Sequence, residues 1–183
     1  MPRIYLNPSL QTYNLFVNGG TEEEYVNLIA DAMEPYLLAS GIEFTRNLPE
    51  VTISQLIHEA NEGAYDLFFS IHTTTAPPFR AGLLQGVNVL YYSQNPYGRE
   101  LAGHIAENLE KVYPIAEKVR AISGATTREL IQTTAPAVFV ELGYNDNFED
   151  AQWMKDSVGG IGRELARSIT AYFGMEFVEP WAD

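Results

Sequence analysis

The sequence predicts an α/β fold of three layers, a mostly parallel twisted sheet with helices on both faces. Three observations predict it. Short apolar runs of strand length alternate with helical patterns along almost the whole chain. The run Tyr65 to Ile71 is nearly continuous in apolar residues and too short for a helix, as central parallel strands covered on both faces are. Connections of this kind place consecutive parallel strands in one sheet with helices packed back against it.

The elements follow in order. Ile4 to Leu6 is a first strand that ends at Asn7-Pro8, where proline favours a strand exit or a turn. After a loop to Gly19-Gly20, Thr21 to Glu24 has the Thr-x-x-Glu form of a capping box. The helix behind it carries Val26, Ile29, Ala30, Met33 and Leu37 at helical spacing, with Pro35 positioned to kink its last turn. Gly41 ends it, and Ile42 to Thr45 is a second strand. Ile53, Leu56, Ile57 and Ala60 mark the buried face of a second helix, and Tyr65 to Ile71 is the third strand. Val87 to Tyr92 is a fourth strand, Leu101 to Leu109 gives a third helix, and Ala137 to Val140 is a fifth strand. Helical patterns between Asp150 and Phe173 close the chain, broken near Gly159-Gly160.

A length of 183 residues suits one domain, 1–183. With 24 acidic against 11 basic residues the net charge is -13, which opposes binding to nucleic acid or anionic membrane. No cysteine is present, so disulfides, thiolate metal sites and cysteine nucleophiles are excluded, and a metal would need His, Asp or Glu. The N-terminus lacks the pattern of a secretory signal and no apolar run reaches the ~20 residues of a membrane span, so a soluble, cytoplasmic chain is the expectation.

In open sheets of this class ligands bind beyond the carboxyl ends of the strands. Three ionisable residues fall there: His72 after the third strand, Glu141 after Ala137 to Val140, and Glu22 at the head of the first helix. Glu22 precedes Val26, Ile29, Met33 and Leu37 at helical spacing, which turns it toward the core. Singly, a strand-end histidine is ordinarily a hydrogen-bonded residue, and a first-turn glutamate is favoured by the helix dipole. Glu141 directly after four apolar residues would be costly to bury without a cation or a proton. His58 and His104 lie off the apolar faces of their helices. The glycine-rich dinucleotide fingerprint, the phosphate loop and the Gly-x-Ser-x-Gly elbow are all missing, which leaves metal-assisted or carboxylate-based hydrolysis.

Ser70-Ile71-His72 at the end of YDLFFSIH, Ala60-Asn61 before it, and PAVFVELGYNDN from Pro136 to Asn147 together resemble the zinc-dependent N-acetylmuramoyl-L-alanine amidases. Members of that family cut the amide between the lactyl group of muramic acid and the first alanine of the peptidoglycan stem peptide. The resemblance implies Glu22 and His72 as metal ligands, zinc as cofactor and Glu141 as the catalytic carboxylate. It also implies peptidoglycan or muropeptide as substrate, action at the bacterial cell wall, and a single catalytic domain with no separate wall-binding module. Catalytic zinc takes three protein ligands and a water, whose proton a nearby glutamate accepts and passes to the leaving nitrogen.

One family motif departs. Asn7-Pro8-Ser9-Leu10-Gln11 stands where the family has Asp-Pro-Gly-His-Gly, so Leu10 occupies the position of the first histidine ligand. A basic residue that many members carry before the Pro-Ala-Val strand is replaced near Ile131. Asp146, Asn145, Gln11 and Asn14 are the candidates for a substitute ligand. A muropeptide-binding protein that has lost catalysis, and a metal-free glycosidase using Glu22 and Glu141, are the alternatives. Tyrosines and prolines in Thr73 to Gly86 and in Tyr91 to Tyr97 either line a groove or pack on the sheet.

Overall fold

The computed structural model describes residues 1–124 and 126–180. Its six-stranded sheet has the order β2-β1-β3-β6-β4-β5. The strands are β1 (Arg3–Pro8), β2 (Glu43–Arg46), β3 (Leu67–Thr74), β4 (Val87–Tyr91), β5 (Val119–Ser123) and β6 (Ala137–Tyr144). All neighbouring pairs are parallel except β4 with β6. The five expected strands are present, and β5 is an addition at the edge. Its VRAIS sequence buries only Val119, so it lacks the apolar run that marks the central strands.

The helices are α1 (Glu22–Ala39), α2 (Ile53–Glu62), α3 (Pro96–Leu109), α4 (Arg128–Gln132), α5 (Phe148–Asp156) and α6 (Val158–Tyr172). Thr21 caps α1 by accepting from the Glu24 backbone at 3.1 Å, the first half of the expected capping box. The last break falls at Ser157, not at Gly159-Gly160; both glycines lie inside the first turn of α6. Ile53 begins α2 but is 47 % exposed, so the buried face of that helix is Leu56, Ile57 and Ala60.

Two cores sandwich the sheet. The larger joins Ile4, Leu6, Leu67, Phe69, Ile71, Val138 and Val140 to the apolar faces of α1, α3, α5 and α6. The smaller joins Tyr5, Phe68 and Ala137 to α2 and to Leu130 of α4. Period-two alternation therefore sends Tyr5 and Asn7 of β1, Phe68, Ser70 and His72 of β3, and Phe139 and Glu141 of β6 to the same face. The chain leaves β1 toward β2 on one side and returns to β3 on the other. The crevice of this topological switch point opens at the carboxyl ends of β1 and β3.

Candidate active site at the carboxyl ends of β1, β3 and β6

Glu22, His72 and Glu141 converge at this crevice. The α1 N-terminus brings Glu22 over the sheet edge, where it is fully buried. Its Oε1 lies 3.1 Å from His72 Nδ1, and its Oε2 accepts from the Thr73 hydroxyl at 2.7 Å and from Asn14 Nδ2 at 2.8 Å. Burial raises the Glu22 carboxyl, but the His72 bond and charge, with the hydroxyls of Ser9 and Thr73, outweigh it and hold the pKa below the ordinary value. Glu22 is therefore ionised, and its partner assigns the Nδ1 proton to His72. The His72 ring stacks on Phe139 at 4.1 Å, and its Nε2 is buried with no hydrogen-bond partner.

Glu141 stands opposite His72 in the β3–β6 register, on strands ~4.8 Å apart. Asn88 of β4 donates to its Oε2 at 3.0 Å. Desolvation by burial raises its pKa, against the lowering effect of Asn88, Thr74 and the His72 charge. The register then slips: two residues of β3 span three of β6 between His72 and Thr74, so a bulge follows Glu141. Gly143 takes φ 133° there, a conformation that L side chains rarely adopt.

A cavity of about 270 Å³ opens beside His72, lined by Asn7, Ser9, Leu10, Gln11, Val51, Leu56 and Glu129 among others. Glu129 of α4 was not among the residues that the sequence singles out. Its five-residue helix carries no amphipathic repeat to orient it, and only an isolated acidic residue beside Leu130 marks it in the sequence. The tyrosines of Tyr91 to Tyr97 do not share this site. Strand β4 runs antiparallel to β6, so Tyr91 pairs with Val138 at the far end of the sheet, and Tyr91 and Tyr92 pack against the cores.

The donor set does not fit a catalytic zinc ion. Glu22 and His72 supply two ligands, and Leu10, which lines the same cavity as His72, presents only carbon to it. Among the described residues no three His, Asp, Glu or Cys side chains are grouped to hold a metal. The candidate substitutes are otherwise engaged. Asp146 accepts from the backbone of Ala76 and Gly82, and Asn145 accepts from the Thr75 hydroxyl. Asn14 turns its donor nitrogen to both Gln11 and Glu22.

Comparison with known proteins shows the fold and the family. The chain superposes on N-acetylmuramoyl-L-alanine amidase AmiC2 of Nostoc punctiforme with a TM-score of 0.83 at 19% identity, covering 94% of this chain and 97% of that one. For the catalytic domain of CwlV from Bacillus (Paenibacillus) polymyxa the TM-score is 0.78 at 17% identity, covering 96% and 100%. For the amidase of Clostridium difficile 630 it is 0.81 at 14% identity, covering 94% and 97%. No curated protein matches by sequence. A family profile for N-acetylmuramoyl-L-alanine amidase matches residues 12–171, and the stretch Asn7 to Gln11 lies outside the match. With that match over most of its length and the same fold, this chain belongs to the N-acetylmuramoyl-L-alanine amidase family.

Proposed function

We propose that this chain is an amidase-family protein that binds peptidoglycan fragments at the crevice between β1, β3 and β6 and has lost metal-dependent hydrolysis. The observation that carries the reading is Leu10, a carbon side chain beside His72 where a third ligand is needed. The satisfied state of Glu22 supports it: one oxygen faces His72 and the other is taken by Thr73 and Asn14. Carboxylates that hold a metal offer a free lone pair toward it, whereas these bonds fix Glu22 as a buried structural anion.

A second reading, residual hydrolysis, is favoured by Glu141. It stands opposite His72, and burial raises its pKa, the direction a general base needs. In that reading Glu141 takes the proton of water and delivers it to the leaving nitrogen. Glu141→Gln then abolishes hydrolysis and leaves fragment binding intact.

The two are separated by incubating the protein with purified peptidoglycan, with and without added zinc. Sedimentation reports binding, and release of L-alanine amino termini reports cleavage. Binding without release is the expected result; release that depends on Glu141 establishes the second reading.

A further inference from the structure

On the site face, the outer half of the sheet lies open. The helix packed on β4 and β5 is α3, and Val87, Val89 and Val119 point toward it in the larger core. Alternation then sends Asn88, Leu90, Arg120 and Ile122 to the opposite face, the one that carries His72 and Glu141. On that face α2 and α4 close over Tyr5, Phe68 and Ala137, while Leu90 and Ile122 of the outer strands stay only partly buried. Parallel strands are ordinarily covered on both faces, so an open β4–β5 pair beside the crevice gives a ligand an apolar floor to lie on.

The strand register draws one polar row across this face. His72 of β3, Glu141 of β6, Asn88 of β4 and Arg120 of β5 are successive Cα partners. Asn88 is tied to Glu141 at 3.0 Å. Arg120, at the end of the row, is exposed, and among the described residues it makes neither an ion pair nor a side-chain hydrogen bond. The other two strand cations are paired: Arg3 with Glu43, and Arg46 with Asp31 and Glu34. A guanidinium offers a planar fork of donors that matches a carboxylate. The net charge of -13 opposes anions at long range. That field is screened beyond ~8 Å at physiological ionic strength, and Glu141 is about 10 Å from Arg120 across two strand spacings.

We propose that the open face of β4 and β5 is a carboxylate subsite, where Arg120 holds the acid group of a peptide that extends from the crevice across Leu90 and Ile122. An extended chain covers ~3.3 to 3.6 Å per residue, so the held carboxylate lies about three residues beyond the group placed at Glu141. Arg120 thereby selects a peptide with an acid at that position over its amidated counterpart. This subsite deepens the fragment-binding reading and rests on it.

The test is NMR titration with N-acetyl-L-alanyl-L-alanyl-L-alanine, its C-terminal amide and acetate alone. The proteins are the wild type, Arg120→Gln and Arg80→Gln, which removes an exposed cation off the sheet. The acid peptide is expected to shift the backbone amides of β4 and β5 and to bind at least about threefold tighter than the amide. Arg120→Gln removes that preference without lowering the melting temperature, and Arg80→Gln keeps it. Equal affinity of acid and amide for the wild type, or an acid preference that survives Arg120→Gln, overturns the subsite and leaves Arg120 a solvated edge-strand charge. Acetate binding as tightly as the acid peptide overturns the peptide as ligand. Peptidoglycan that sediments with the wild type although neither peptide binds it defeats this inference alone. Peptides that bind as expected while peptidoglycan does not sediment defeat the fragment-binding reading alone.

Discussion

Leu10→His places an imidazole in the cavity that His72 lines, and zinc affinity is expected to rise. The gain is bounded, since a ligating histidine needs an acceptor for its other nitrogen and lacking one costs ~10 to 100-fold. Calorimetric zinc titration of both proteins checks this. The two glutamates predict opposite pH effects. Glu22 is held below its ordinary pKa, so its contribution to stability is present above the unfolded value and lost as pH falls through the folded one. The acid limb of thermal unfolding, below about pH 4.5, should therefore flatten in Glu22→Gln. Glu141 is raised by burial, so its ionisation opposes folding once pH climbs above the ordinary glutamate range. Glu141→Gln should raise the melting temperature at neutral pH and leave it nearly unchanged near pH 4. His72, Glu141 and Glu22 were legible in the sequence because each adjoins a strand end or a capped helix start. Glu129 was not, because its environment is made by α2, β1 and β3, which meet it only in the folded chain.

Among the elements, the β6–α5 junction holds the far side of the site. Asp150 is fully buried and accepts from the Tyr113 hydroxyl at 2.5 Å, Tyr144 N at 2.9 Å and Gly86 N at 3.0 Å. Removing its carboxylate strands three donors at ~1 to 3 kcal/mol each, so Asp150→Ala should destabilise by at least about 3 kcal/mol in urea unfolding. Close packing sets a second prediction at the α1–α6 contact. A Cβ on Gly162 would lie 2.7 Å from Ala32 Cβ and 2.9 Å from the Ile29 carbonyl, so Gly162→Ala should cost about 1 to 3 kcal/mol. The strongly apolar strands and the repeat of α1 were readable from spacing alone. Strand β5 and helix α4 were not: β5 alternates weakly on an exposed edge, and α4 is a single short turn and a half that tertiary contacts stabilise. The antiparallel setting of β4 was equally hidden, because an apolar strand carries no mark of its direction.

For the molecule as a whole, the amidase fold is present, and Leu10 lines the crevice beside His72. The sheet order places β1, β3 and β6 side by side, so one crevice collects Leu10 and His72 from distant parts of the chain, with Glu141 opposite His72 in the strand register. No described helix is long and apolar enough to cross a membrane. A net charge of -13 adds a long-range preference for cationic over anionic ligands, which salt should screen. The most direct test of the central claim is the zinc content and affinity of the purified wild-type protein, measured at neutral pH together with amidase assay on peptidoglycan. The account predicts weak, substoichiometric zinc and no release of L-alanine amino termini. One tightly bound zinc per chain, accompanied by that release, would contradict it.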